Sequence, residues 1–172
     1  MKLGIAYNIF DGEEMLIHSL NNLRPMVDFI CVVYQEVSNF GNTNPNLEKT
    51  LIKYQEMKLI DKIYKYEPEL RKDDKGNIVW QNGTENEFKK RNIGLEICRH
   101  NKCDAFMTID CDELYDPNEF EFAKKDFELG GYDTSFTQMR TYYKLPIYEV
   151  FPPEEYYCPL FYKIKKDTKF TY

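Results

Sequence analysis

Ala105-Phe106-Met107-Thr108-Ile109-Asp110-Cys111-Asp112-Glu113 is an apolar run that breaks off into acids, and Asp116-Pro117 with Glu119 follows at once. An uninterrupted apolar run of this length, set off by polar residues, reads as a strand covered on both faces, the habit of parallel sheets. We place that strand at Asp104 to Asp110. Aspartate before proline is an N-cap followed by a residue preset for the first helical position, so a helix starts directly after the acids. In extended backbone alternate side chains share a face, so Asp110 and Asp112 are expected to point together and Cys111 the other way. The carboxyl end of such strands is where open α/β sheets bind ligands. Two like charges side by side there need a cation or hydrogen bonds to offset them, and hard carboxylate oxygens suit Mg²⁺ or Mn²⁺ completed by ligand phosphates. A chain with 29 acidic residues also yields such a pair at an ordinary solvated strand end; the strand before it and the helix after it favour the functional reading.

Upstream, the alternation of strand and helix repeats. Lys2 to Asn8 reads as a buried strand, and Asp11 with Glu14 marks a helix start. That helix runs to Pro25 with Met15, Leu16, Leu20 and Leu23 on one face, as packing against a sheet requires. Asp28 to Gln35 is a second strand, a polar loop from Val37 to Pro45 leads to a helix over Leu47 to Leu59, and Asp61 to Tyr66 is a third strand. Alternation of this kind builds a parallel sheet with crossover helices. Asp74-Lys75-Gly76-Asn77 is turn chemistry and predicts a small hairpin within Arg71 to Gln81 that ends at Trp80. Thr84 with Glu87 repeats the capping pattern and opens a helix carrying Lys89, Lys90 and Arg91 to about His100. The helix after Asp116 ends at Gly130-Gly131, and Asp133 to Tyr172 reads as strands and loops rich in Tyr and Phe. The expected fold is α/β: a Rossmann-like domain, its central sheet mostly parallel and flanked by helices, with a small hairpin insertion. No repeat or linker divides the chain, so 1–172 is taken as a single domain.

A net charge of −6 supplies no basic surface, which argues against nucleic acid as a partner; any phosphate-bearing ligand must be met by a few local cations. Five cysteines without a C-x-x-C pair fit neither a disulfide framework nor a zinc site, and point to a cytoplasmic protein. The apolar run Leu3 to Phe10 is too short to span a membrane and lacks a small-residue cleavage site, so no transmembrane segment is expected.

Three pieces, in order, resemble one family: Gly4-Ile5-Ala6-Tyr7-Asn8, Arg91-Asn92-Ile93-Gly94-Leu95, and Phe106 to Glu113. They are similar to the family 2 type of glycosyltransferase, which has a GT-A fold, over about residues 3 to 120. The resemblance implies a nucleotide-diphosphate sugar as donor and Mn²⁺ or Mg²⁺ as cofactor. It makes Asp112 the direct metal ligand and Asp110 a contact to the ribose or to a metal-bound water, so that both belong to the metal site. Tyr7 and Asn8 would line the nucleoside pocket, and an R-N-x-G helix start would set Arg91 against the pyrophosphate, a task its planar fork suits. The plainer reading of Arg91 is a solvated helix charge beside Lys89 and Lys90. Where the family places an acid to read the base, this chain has Gln35-Glu36, which nominates Glu36.

Several other residues draw less. Glu113, next along a strand, is expected to face away and be exposed; Trp80 would either cover the donor or pack in the hairpin; His18 and His100 are expected at helix surfaces. The resemblance thins beyond the acids. No E-D pair is legible, and Gln138-Met139-Arg140-Thr141 is not the Q-x-x-R-W signature of processive members. Glu149, Glu154 and Glu155 are the candidate bases, with Glu155 carried forward. The resemblance divides the chain into a nucleotide-sugar-binding half, 1–116, and a partial acceptor-side half, 117–172, truncated against the family's usual length. The expected function is metal-dependent transfer of a sugar to the hydroxyl of a glycan, lipid or protein. The alternatives are a non-catalytic nucleotide-sugar-binding module or fragment of a larger transferase and, third, a sugar nucleotidyltransferase, which would carry a basic Gly-rich loop where Ile9 to Glu14 has no base.

Overall fold

The first strand, β1 (Leu3–Ile9), is buried along almost its whole length and sits in the middle of the sheet. The computed structural model describes residues 1–79, 81–145, 147–152 and 155–171. After β1 come α1 (Glu13–Leu23), β2 (Phe29–Tyr34), α2 (Leu47–Glu56), β3 (Lys62–Lys65), α3 (Gln81–His100), β4 (Ala105–Ile109), α4 (Pro117–Gly130), β5 (Thr134–Gln138) and β6 (Tyr157–Lys163). The sheet order is β3-β2-β1-β4-β6-β5. Pairings β2–β3, β1–β2 and β1–β4 are parallel, whereas β6 runs antiparallel to both β4 and β5. The mostly parallel α/β expectation therefore stands.

The chain builds outward from β1 to β2 and β3, then returns to place β4 on the other side of β1. That reversal opens a crevice at the carboxyl ends of β1 and β4, the place where doubly wound sheets take ligands. The register sets Tyr7 opposite Ile109, which brings Asn8 and Asp110 side by side at its mouth.

Period-two alternation sorts the strand side chains between two cores. Leu3, Ile5, Tyr7 and Ile9 join Leu16, Leu20 and Leu23 of α1, Leu47 and Leu51 of α2, and Phe120 and Phe127 of α4. Ala6, Cys31 and Phe106 face the other way, onto Leu95 and Cys98 of α3. Each large apolar side chain so buried contributes about 1.5–3 kcal/mol. Helix α3 lies very close to the sheet: a Cβ on Gly94 would stand 2.5 Å from the Ala6 Cβ.

Both capping boxes expected near the amino-terminal ends of helices are replaced by other arrangements. The N-cap of α1 is Gly12 at φ 81 with no side-chain cap bond, so Asp11 does not cap it. Helix α3 begins at Gln81, which leaves Thr84 inside the helix and frees Glu87 for ion pairs. The Asp116 cap is formed: Asn118 N and Glu119 N donate to its Oδ1 at 2.9 and 3.0 Å, and Gly131 at φ 64 closes the helix. The expected hairpin is a single bridge, Lys72 to Ile78, about a turn in which Lys75 N and Asn77 N donate to Asp73 Oδ1. Trp80 lies outside the described residues.

Candidate functional site

Strand β4 stops at Ile109, and the acids lie in the turn beyond it, where Glu113 N donates to Asp110 O at 3.3 Å. The alternation expected to align Asp110 with Asp112 presumed extended backbone, so it does not apply. The turn is tied down from the α1 side instead: Ser19 Oγ donates to Glu113 O at 2.7 Å and shares a 2.9 Å hydrogen bond with Tyr7 Oη. That contact corrects the expectation for Tyr7. Its ring is fully buried in the α1-side core, so its side chain is not placed to line an open nucleoside pocket, and burial drives its hydroxyl far above the ordinary range. Glu113 is corrected too. It is half-buried, accepts from Tyr115 Oη at 2.7 Å, and is held protonated to higher pH chiefly by burial, with the charges of Asp110 and Asp112 adding to the effect.

Asn8 points to the α3 face, where its Nδ2 donates to Thr108 Oγ1 at 3.2 Å. Its Oδ1 is buried with no hydrogen-bond partner among the described residues, a condition that costs about 1–3 kcal/mol unless a donor arrives. Asp110 and Asp112 are both exposed. The Asp110 carboxyl is raised above its ordinary range first by desolvation, then by Glu87; Arg91 and Lys90 pull it down and Asp112 pushes it up. The acids of the turn thus share a neighbourhood with the charged side chains of α3.

On α3, Arg91 Nε donates to Glu87 Oε1 at 3.0 Å, and Lys90 Nζ ion-pairs with Glu87 Oε2 at 3.1 Å. Arg91 is therefore not a freely solvated helix charge. Lys90, 4% exposed, is the one buried charged side chain among the described residues. Beside them opens a cavity of about 520 Å³ lined by Phe40, Gly83, Thr84, Glu87, Phe88 and Arg91. The Arg91-Asn92-Ile93-Gly94 segment lies well inside α3 and is not a helix start. Its asparagine meets the C-terminal segment: Phe170 N donates to Asn92 Oδ1, and Asn92 Nδ2 donates to Phe170 O, each at 2.9 Å.

At the end of β2, Lys65 Nζ donates to Glu36 Oε2 at 2.6 Å, so the acid nominated to read a base is already engaged. Its neighbour Gln35 is not. Gln35 is 1% exposed, its Nε2 makes a long 3.4 Å bond to Asn39, and its Oε1 has no partner among the described residues. Sequence reasoning missed Gln35 because nothing in its neighbours shows that the amide is buried.

Glu155 is exposed just before β6. Because β6 runs antiparallel to β4, that position belongs to the same edge of the sheet as Asp110. Glu149 is exposed opposite Tyr142 in a separate bridge, and Glu154 lies outside the described residues. His18 is exposed on α1 and His100 at the end of α3, as expected.

Among the described residues no group of three or more His, Cys, Asp or Glu side chains is placed to hold a metal ion. Asp110 and Asp112 amount to a partial donor set. Such a set fits Mg²⁺ or Mn²⁺ arriving with a diphosphate, which needs only one or two protein carboxylates. Desolvation first, and then the charges of Glu87 and Asp112, raise the Asp110 carboxyl, and a cation would offset those charges.

No protein-family model and no curated protein matches this sequence. Solved structures do. A crystal structure of S. aureus TarS residues 1–349 superimposes with a TM-score of 0.55 at 14% identity, covering 85% of this chain and 38% of that one. The same protein in complex with UDP-GlcNAc gives 0.56 and 14%, covering 86% and 37%. A further S. aureus TarS structure gives 0.55 and 14%, covering 86% and 23%. The chain shares its fold with these structures. At this identity the likeness is one of fold, and the chain spans well under half the length of the structures it matches. No helix among the described residues is long and apolar enough to cross a membrane.

Proposed function

We propose that this chain binds a nucleotide-diphosphate sugar in the β1–β4 crevice and transfers the sugar to an acceptor hydroxyl. The observation that carries the reading is that Asp110, just past β4, lies within the electrostatic reach of the Glu87–Arg91–Lys90 group of α3, in a fold shared with a protein crystallised with UDP-GlcNAc.

In such a reaction negative charge grows on the departing nucleoside diphosphate, and preorganised cations lower the barrier. Arg91 supplies planar N–H donors to that group. Asp112, with Asp110, would hold Mg²⁺ or Mn²⁺ against the diphosphate, where the ion supplies Lewis-acid stabilisation. Asn8, near the end of β1, and Gln35, just past β2, each carry a buried carbonyl oxygen without a donor among the described residues. We assign the ribose side to Asn8 and the base to Gln35, in place of Glu36. A carboxylate near the acceptor takes the hydroxyl proton, and Glu155, at the Asp110 edge of the sheet, is the candidate.

The second reading, a module that binds donor without transferring it, is favoured by one observation: Glu155 and Glu149 are exposed in loop positions. All five thiols are free, and we place the protein in the cytoplasm on that ground. Turnover decides between the readings. A panel of nucleotide sugars with Mn²⁺ or Mg²⁺ is expected to give released nucleoside diphosphate for one donor, and Asp112→Ala is expected to abolish it. Metal-dependent binding without release from any donor would leave the binding module.

A further inference from the structure

Glu87 stands between two cations that are placed very differently. One carboxylate oxygen meets Arg91 Nε at 3.0 Å and the other meets Lys90 Nζ at 3.1 Å, the i,i+4 and i,i+3 neighbours on α3. Arg91 is about one-third exposed and lines the 520 Å³ cavity; Lys90 is 4% exposed and does not line it. A ligand entering the cavity therefore reaches Arg91 and cannot reach Lys90 without rearranging the helix. It also meets the Glu87 carboxylate, which lines the same cavity and repels any anion.

Burying a lysine is expensive, and a lysine whose ion-paired carboxylate is shared with a neighbour gains little stability from the pair alone. From this geometry we infer that Glu87 is a built-in stand-in for the ligand's phosphates. In the empty site it neutralises Arg91; when a diphosphate enters, Arg91 turns to the ligand and Glu87 is left wholly to Lys90. Lys90 is then a positioning residue, a fixed counter-charge that allows Glu87 to release Arg91 without becoming a buried unpaired ion. The inference rests on the donor reading, since it takes Arg91 to be the diphosphate contact.

The test is calorimetric titration of the full chain with inorganic pyrophosphate in the presence of Mg²⁺. The variants are Glu87→Gln/Lys90→Met, Lys90→Met and Arg91→Ala. The double variant removes one charge of each sign, so net charge is unchanged, and it leaves no unpaired ion in the buried position. It is expected to bind pyrophosphate roughly three- to tenfold more tightly than the wild type, the effect of removing a competing ion pair. Lys90→Met alone is expected to bind several-fold more weakly, because Glu87 then has no partner but Arg91. The two effects are therefore opposite in sign. Equal or weaker binding by the double variant overturns the inference, as does wild-type affinity in Lys90→Met. Binding by the wild type that is lost in Arg91→Ala upholds the donor reading whatever the sign of the Glu87 effect; absence of binding in the wild type and the double variant removes both.

Discussion

Asn92 grips both backbone groups of Phe170, accepting from its N–H and donating to its C=O, each at 2.9 Å, across 78 residues of chain. The same asparagine also donates to Phe88 O, and the Phe170 ring stands edge-on to Phe106 and Tyr162. The C-terminal segment is thereby fastened across α3 one helical position from Arg91.

Asn92→Ala leaves the Phe170 amide and carbonyl without these partners, at a cost of about 1–3 kcal/mol for the half-buried pair. Hydrogen exchange is expected to accelerate at residues 168–171 more than in β1 or β4. Uniform acceleration throughout the sheet would show that the clamp supports the whole fold and not the segment alone.

Asp110 and Glu113 carry carboxyls whose folded-state pKa lies above the ordinary values of 3.8 and 4.5. A raised acid binds its proton more tightly folded than unfolded, so stability falls as pH rises through that interval, and the loss is complete above the folded value. Asp110→Asn is accordingly expected to raise the melting temperature at pH 7 and leave it unchanged at pH 3. Because Asp110 is exposed, screening keeps the gain below about 1 kcal/mol. The same variant is expected to lose metal-dependent donor binding. A fall in melting temperature at pH 7 would mean that the Asp110 charge supports the fold.

Gln35→Leu replaces a fully buried amide of similar size and removes an acceptor that has no donor. Losing an unsatisfied buried oxygen is neutral or stabilising, whereas losing a base contact weakens the ligand. Denaturant unfolding is expected to show equal or higher stability, and nucleotide titration an affinity lower by about 1–2 kcal/mol, roughly five- to thirtyfold. Lower stability with unchanged affinity would make Gln35 an ordinary packing residue.

The layers of this fold are legible because its strands are short apolar runs separated by polar turns. Phe29 to Val33 and Ala105 to Ile109 could hardly be other than buried strands, and the Asp116-Pro117 start of α4 is fixed by local chemistry alone. What escaped the sequence is tertiary. Asp11 has the composition of a cap, yet Gly12 takes the position by adopting a left-handed backbone that aspartate reaches less easily. Alternation placed Asp110 and Asp112 on one face, but the strand ends when its pairing with β1 ends at Tyr7 and Ile109. Lys90 looks like its neighbour Lys89 in sequence and differs only in the surface α3 presents to the sheet. The Glu36 engagement with Lys65 and the Asn92 clamp on Phe170 join residues 29 and 78 positions apart, beyond any local pattern.

The claim that a nucleotide-diphosphate sugar binds in the β1–β4 crevice is tested most directly by thermal unfolding with a panel of nucleotide sugars, with and without Mn²⁺. Specific binding to the folded state stabilises it by about 2.7 kcal/mol at a ligand concentration one hundred times Kd. The account predicts a rise in melting temperature for donors sharing one base, lost on chelation and lost in Asp112→Ala. No rise with any donor under any metal condition would contradict it.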